Sequence, residues 1–295
     1  MPRTTTTRED TAMPNTPRHA TPRHYLMCRP THFDVNYAIN PWMDPTAPVD
    51  PELAVKQWEQ LRELYQQYGH TVDLLDPVPG LPDMVFSANG ATVVEDRVLI
   101  ARFRHEERAP EAAHYQEWFT AQGYPEVHTA RYINEAEGDY IVVGDTVLAG
   151  TGFRTDPEAH GELRRALRRP VVTLTLVDPR FYHLDTALAA LSDTEVAYYP
   201  GAFSEGSLEA LRILYPDAIL VDEQDALSFG LNAVSDGHHV FLPDTAEGFA
   251  RQLWEHGFEP VGVDLSELLK AGGSVKCCTL EIRHPALSRT ALAVG

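Results

Sequence analysis

Cysteine is scarce in this 295-residue chain, which has only Cys28, Cys277 and Cys278. Three thiols build no disulfide framework, and a vicinal pair strains to close on itself and lacks metal-ligand spacing. Long apolar runs are missing too: nothing approaches the roughly 20 residues that a membrane span requires. Positive charge is in deficit, with 24 Lys and Arg against 43 Asp and Glu and a formal net charge of −19. Such a surface repels phosphate backbones and anionic lipid, so no nucleic acid and no membrane are expected as partners, whereas a cationic small molecule is attracted. Despite thirteen histidines there is no Cys-x-x-Cys or His-Glu-x-x-His spacing. The expectation is therefore a protein with no metal and no cofactor, in which His238-His239 is a solvated strand end.

What is present is enough apolar content, 43%, to build a sizeable core, at a length that suits one large α/β domain. Residues 1–23 are rich in Thr, Pro and Arg and have no apolar h-region, which predicts a disordered tail rather than a secretory signal. Residues 24–295 then form a single domain, and free thiols suit a reducing cytoplasm. Oligomeric state stays open, a homo-oligomer included.

Tyr25–Cys28 reads as a strand, and Leu53, Val55, Trp58, Leu61, Leu64 and Tyr65 recur at helical spacing before Gly69. Three later segments resemble one another: Asn89–Ala101, Gly138–Gly150 and Asn232–Pro243 each alternate apolar residues about an acidic or glycine turn, the mark of a β-hairpin. Helical stretches such as 111–122 and 207–215, each followed by a short strand, separate them. This irregular repetition points to stacked ββαβ modules. Asn89, Asp139 and Asn232 open the hairpins, so they converge on a common axis unless they only form turns.

Several residues have the character of a reactive centre. A thiol at Cys277 or Cys278 behind Gly272-Gly273 needs a base or proton carrier, because only the thiolate is a good nucleophile. His183 follows the apolar run Val171–Val177, and Asp185, two residues on, projects to the same side if the segment is extended. The cluster Glu135-Ala-Glu137-Gly-Asp139 is costly unless a cation sits among its carboxylates, and Arg154 beside a glycine turn suits a carboxylate. Together these residue types describe a pocket for a cationic amino acid. A packed cysteine pair, a solvated acidic turn and a non-catalytic arginine-binding protein are the alternatives.

These residues resemble, in order along the chain, the guanidine-modifying superfamily of arginine deiminases, dimethylarginine dimethylaminohydrolases, amidinotransferases and arginine dihydrolases. The resemblance runs through Met27-Cys-Arg-Pro, Ile39-Asn-Pro-Trp-Met43, Pro82-Asp-Met-Val-Phe-Ser-Ala-Asn89, Glu135 to Asp139, Gly152-Phe-Arg-Thr155, His183-Leu-Asp185 and Gly272-Gly-Ser-Val-Lys-Cys277. It implies the pentein fold, a five-module pseudo-symmetric ββαβ propeller of α/β class. It also implies Cys277 as nucleophile, His183 as general acid and base, and Glu135 as the catalytic carboxylate, with Glu137 the alternative. Asn40, Asp83, Phe86, Asn89, Arg108, Arg154 and Asp185 are implied as substrate-binding residues. Relatives usually carry an acidic residue at the place of Asn89. An amide there can hold a neutral ureido group as well as a guanidinium, which places arginine dihydrolase ahead of dimethylargininase, with simple deimination third.

Overall fold

The structure, a computed structural model, describes residues 18–284. Its first helix, α1 (Pro51–Gln67), follows directly from the local sequence. Asp50 accepts hydrogen bonds from the backbone N–H groups of Glu52 and Leu53, and Pro51 occupies the first turn. Ala54, Trp58, Leu61 and Tyr65 fall on one buried face at spacings of three and four, and Gly69 ends the run with φ of 85°. The strand β1 (His24–Cys28) precedes α1, and β2 (Thr71–Leu75) follows it and pairs with β1 in parallel.

The same strand, helix, parallel strand sequence recurs. The strands are β3 (Ala91–Val94), β4 (Arg97–Ile100), β5 (Glu126–Thr129), β6 (Tyr140–Val143), β7 (Thr146–Thr151), β8 (Val171–Thr175), β9 (Leu188–Ala190), β10 (Val196–Tyr198), β11 (Ile219–Leu220), β12 (Val234–Ser235), β13 (His239–Pro243), β14 (Glu259–Val263) and β15 (Leu280–Arg283). The helices are α2 (Glu111–Ala121), α3 (Pro157–Leu167), α4 (Glu205–Leu214), α5 (Glu223–Leu227), α6 (Glu247–Glu255) and α7 (Ser266–Leu269). Hairpins β3–β4, β6–β7, β9–β10 and β12–β13 are each extended by a parallel third strand reached across α2, α3, α4 and α6 respectively.

A unit of the same plan is made from the two ends of the described chain. β15 pairs antiparallel with β1, Tyr25 opposite Glu281, while its other edge pairs in parallel with β3, Ile282 opposite Val93. The α/β class expected from sequence is thus borne out, and the three read hairpins are present. The β9–β10 hairpin had no clear sequence signal, because three short, alanine-rich residues oppose three across a five-residue turn.

A turn carrying a polar or nucleophilic residue precedes the first strand of each unit. Asn89 precedes β3, Asp139 precedes β6, Asp185 precedes β9, Asn232 precedes β12 and Cys277 precedes β15. Apolar side chains pack between sheets and helices, so these polar turns occupy one end of their strands. Among the described residues no helix is long and apolar enough to cross a membrane.

The expected tail at 1–23 needs correction at its boundary; its first 17 residues lie outside the described residues, as do 285–295 of the expected domain. Arg18 pairs with Glu195 at 2.7 Å and its guanidinium lies 3.5 Å from the Phe258 ring centroid, while the Thr21 N–H donates to the Asp236 carbonyl. Composition hid this because the anchor is a single charged, planar side chain rather than an apolar run.

Replacing the cap with Asp50→Ala is expected to lower stability by about 1 kcal/mol. The urea midpoint should fall with an unchanged slope in equilibrium unfolding.

Candidate active site

The nucleophile candidate is held by a turn that glycine makes possible. Gly272 has φ of 81°, and a Cβ on Gly273 would come within 2.3 Å of the Phe86 ring. The chain then turns through Ser274–Thr279, with the Cys278 N–H donating to the Ser274 carbonyl at 3.1 Å. Cys277 is 2% exposed; its thiol donates to Asp185 Oδ2 at 3.4 Å and accepts from Asn232 Nδ2 at 3.1 Å. The Asn232 side-chain Oδ1 in turn accepts the backbone N–H groups of Ser274 and Cys277, at 3.2 and 3.1 Å. Burial, then the Asp185 charge, pushes the Cys277 thiol well above its ordinary value. Cys278 is fully buried in an apolar cluster with Trp58, Phe241 and Val275, so the two cysteines have different surroundings.

His183 lines the same cavity. Its Nε2 lies 2.7 Å from Glu135 Oε2, and Arg154 Nη1 donates to that oxygen at 2.6 Å. Burial alone would raise the Glu135 carboxyl, but Arg154 and His183 hold it well below the usual range. With an ionised carboxylate on Nε2, the imidazole keeps its hydrogen there. Nδ1, buried and without a partner among the described residues, is left for proton transfer.

The cluster 135–139 divides three ways. Glu135 faces His183. Glu137 turns away to a separate buried network, accepting from Lys276 Nζ at 2.6 Å and pairing with Arg283. Asp139 accepts the Leu184 backbone N–H at 3.0 Å, and burial pushes its carboxyl up to about 6. Geometry therefore selects Glu135 over Glu137.

The rest of the cavity wall comes from Ile39, Asn40, Asp83, Phe86, Asn89 and Arg108, with Tyr182 and Ala271. Arg108 makes two 2.9 Å bonds to Glu111 and donates to Asn89 Oδ1 at 2.8 Å. Asp83 accepts from Tyr37 at 2.9 Å, its other oxygen is unpartnered among the described residues, and burial raises its carboxyl. Asn40 donates to the Ala271 carbonyl at 3.0 Å, tying its loop to the chain that precedes Gly272. The space enclosed is about 10 Å³, room for one water, so a substrate must displace side chains to bind.

The residues expected from sequence gather here. A 3₁₀ turn at Leu184–Thr186 breaks the alternation of an extended strand, so Asp185 turns to Cys277 while His183 meets Glu135. Burial pushes the Asp185 carboxyl up to about 7, and its Oδ1 is unpartnered among the described residues. The Arg154 guanidinium is paired with Glu135 and the Ile39 carbonyl.

Asn232, which bonds the Cys277 thiol, was not among the site residues expected from sequence. Its hairpin-opening position, shared with Asn89 and Asp139, was the available signal. A larger cavity of about 420 Å³, lined by Arg23, Lys276, Glu281 and Arg283, includes neither Cys277 nor His183.

A buried thiol, an imidazole on a paired carboxylate and carboxylates with unused oxygens suit covalent chemistry on a cation, and similarity to known proteins gives the class, a hydrolase acting on C–N bonds of linear amidines. Residues 29–284 match the family model described as N,N dimethylarginine dimethylhydrolase, eukaryotic. The chain belongs to this dimethylargininase family. It is 59% identical over 271 residues to the N(G),N(G)-dimethylarginine dimethylaminohydrolase of Mycobacterium tuberculosis, covering 91% of this chain and 89% of that protein. It is 37% identical to the bifunctional arginine dihydrolase/ornithine cyclodeaminase AgrE of Nostoc, covering 88% of this chain but only 38% of that protein. The substrate-bound N-terminal domain of the arginine dihydrolase ArgZ superposes with a TM-score of 0.86 at 37% identity, covering 90% of this chain and all of that one.

Two predictions follow from the geometry. Glu135→Gln should abolish turnover with the fold intact, whereas Glu137→Gln, which strands Lys276 and Arg283, should cost about 3–5 kcal/mol of stability; activity and thermal melts of both variants separate the roles. In the free protein, alkylation of Cys277 by neutral iodoacetamide should accelerate only at alkaline pH. Asp185→Asn should move that profile to lower pH by removing a negative charge, and Asn232→Ala should move it higher by removing a donor to the thiolate.

Proposed function

We propose that the five strand units close into a pentein propeller, with the polar turns meeting at its axis, and that this site hydrolyses the guanidinium group of arginine through a covalent Cys277 intermediate. The observation that carries the reading is the pairing of Cys277 with Asp185 on one wall and of His183 with Glu135 on the other. A cationic guanidinium brought between them offsets the Asp185 charge, which lets the thiol ionise where burial alone forbids it. His183 Nδ1 takes the thiol proton as the sulfur ionises; the thiolate adds to the guanidinium carbon, and the imidazolium passes that proton to the departing nitrogen as its bond to carbon breaks, leaving an amidino-thioether. The neutral imidazole then takes a proton from water, which attacks the same carbon and frees the thiol.

Asn89 supports two successive hydrolyses. Its amide, oriented by Arg108, can meet either a guanidinium or the neutral ureido product of the first round. The sum is arginine plus two waters giving ornithine, carbon dioxide and two ammonia. Asp83, with its unused oxygen, faces the cation, Phe86 and Asn40 line its path, and the Arg108 and Arg154 side receives the α-carboxylate once Arg154 yields part of its present pairing. Buried free thiols suit a cytoplasmic setting.

The second reading, release of dimethylamine from dimethylarginine to give citrulline, draws on the 59% identity to the mycobacterial protein of that name. Supplying arginine and asymmetric dimethylarginine separately and identifying the products discriminates the two. Ornithine with two equivalents of ammonia is expected; citrulline with dimethylamine would replace this reading by the second, and no turnover of either would overturn both. Cys277→Ser should be inactive, and Cys278→Ser should retain activity.

A further inference from the structure

Outside this site, His238, His239 and Glu259 stand together where β13 begins and β14 runs beside it. His239 lies opposite Glu259 in the parallel register, and the Glu259 N–H donates to the His238 carbonyl at 2.8 Å. The Nε2 atoms of His238 and His239 approach the same oxygen, Glu259 Oε2, at 3.5 and 3.9 Å, too far for hydrogen bonds. Metal–ligand bonds of about 2.0–2.1 Å in a tetrahedron set neighbouring ligand atoms about 3.3 Å apart. The three ligand atoms lie within 4.8 Å of one another, so small side-chain adjustments satisfy an ion.

The surroundings are those of a metal-binding histidine. His239 Nδ1 lies 2.7 Å from Oδ2 of the fully buried Asp236, which directs the ring so that Nε2 faces Glu259. Asp236 Oδ1 also accepts the backbone N–H groups of His238 and His239, at 2.8 and 2.7 Å, fixing the turn. The Tyr68 ring packs edge-on against His239 at 4.5 Å. None of these residues lines the Cys277 cavity.

We propose that His238, His239 and Glu259 form a binding site for a divalent first-row transition ion of the zinc type, separate from the hydrolytic centre. Two imidazoles and a carboxylate are a donor set for such ions rather than for calcium or magnesium. A fourth position, on the exposed side of Glu259, is open to water. A bound ion would fasten β14 to the turn that opens β13. This site replaces the solvated strand end expected from sequence: the pattern His-His has no ligand spacing of its own, and the third ligand comes from a strand twenty residues on.

The test uses tag-free, metal-stripped protein titrated with Zn²⁺ by calorimetry and with Co²⁺ by visible absorption, in wild type, Cys277→Ser, His239→Ala and Glu259→Gln. One equivalent should bind wild type and Cys277→Ser alike, with a cobalt spectrum lacking thiolate charge transfer. Affinity should fall at least about tenfold in His239→Ala and Glu259→Gln, while both keep basal hydrolytic activity. Zinc should raise the melting temperature of wild type and of Cys277→Ser but not of His239→Ala. Undiminished binding in both His239→Ala and Glu259→Gln, loss of binding in Cys277→Ser, or no binding to wild type would each overturn the proposal.

Discussion

The buried charge of Glu135 is the constraint on which the site depends. A carboxylate with no access to water must be paired, and two partners meet it: Arg154, which follows β7, and His183, which lies between β8 and β9. Arg154 also holds the Ile39 carbonyl, and the Glu135 carbonyl lies 3.4 Å from Asn89 Nδ2. The charge itself joins the stretches that carry Glu135, Arg154 and His183, and Arg154 extends the link to Ile39. Leaving such a charge unpaired costs several kcal/mol, a large part of the roughly 5–15 kcal/mol by which a domain is stable. The carboxylate orients the imidazole and is itself fixed by the same contacts.

Cys277 is in the contrary condition. Its neighbours hold it in the unreactive protonated form, since burial and Asp185 both oppose a thiolate. Asn232 stabilises either form, donating to sulfur while fixing the backbone that carries it. A positive charge placed beside Asp185 would oppose that effect. Lys276, one residue away, does not serve that purpose, because it is spent on Glu137.

How much of this was legible in the sequence depends on how local each signal was. The hairpins at 89–101, 138–150 and 232–243 showed because β-branched runs flank short turns, and α1 showed because its apolar face keeps period. The β9–β10 hairpin, with its alanine-rich strand, and the pairing of β15 with β1 did not, the first for want of bulky residues and the second because its partners lie some 250 positions apart. Ordered motifs identified Cys277, His183, Glu135 and the cavity wall. Which carboxylate of the 135–139 cluster meets His183 was open in the sequence, because spacing alone does not say how the turn at 136–138 aims its side chains, and the contact of Asn232 with sulfur is created only by the assembled units.

The unit built from both ends of the described chain also sets the order in which the molecule can be completed. During synthesis from the N-terminus, β1 and β2 emerge early but lack their antiparallel neighbour until β15 is made. The thiol of Cys277 precedes that last strand by three residues. A nascent chain therefore holds His183, Glu135 and the arginines without the Cys277 thiol, and the site is complete only with the contact that joins the first and last strands of the described residues.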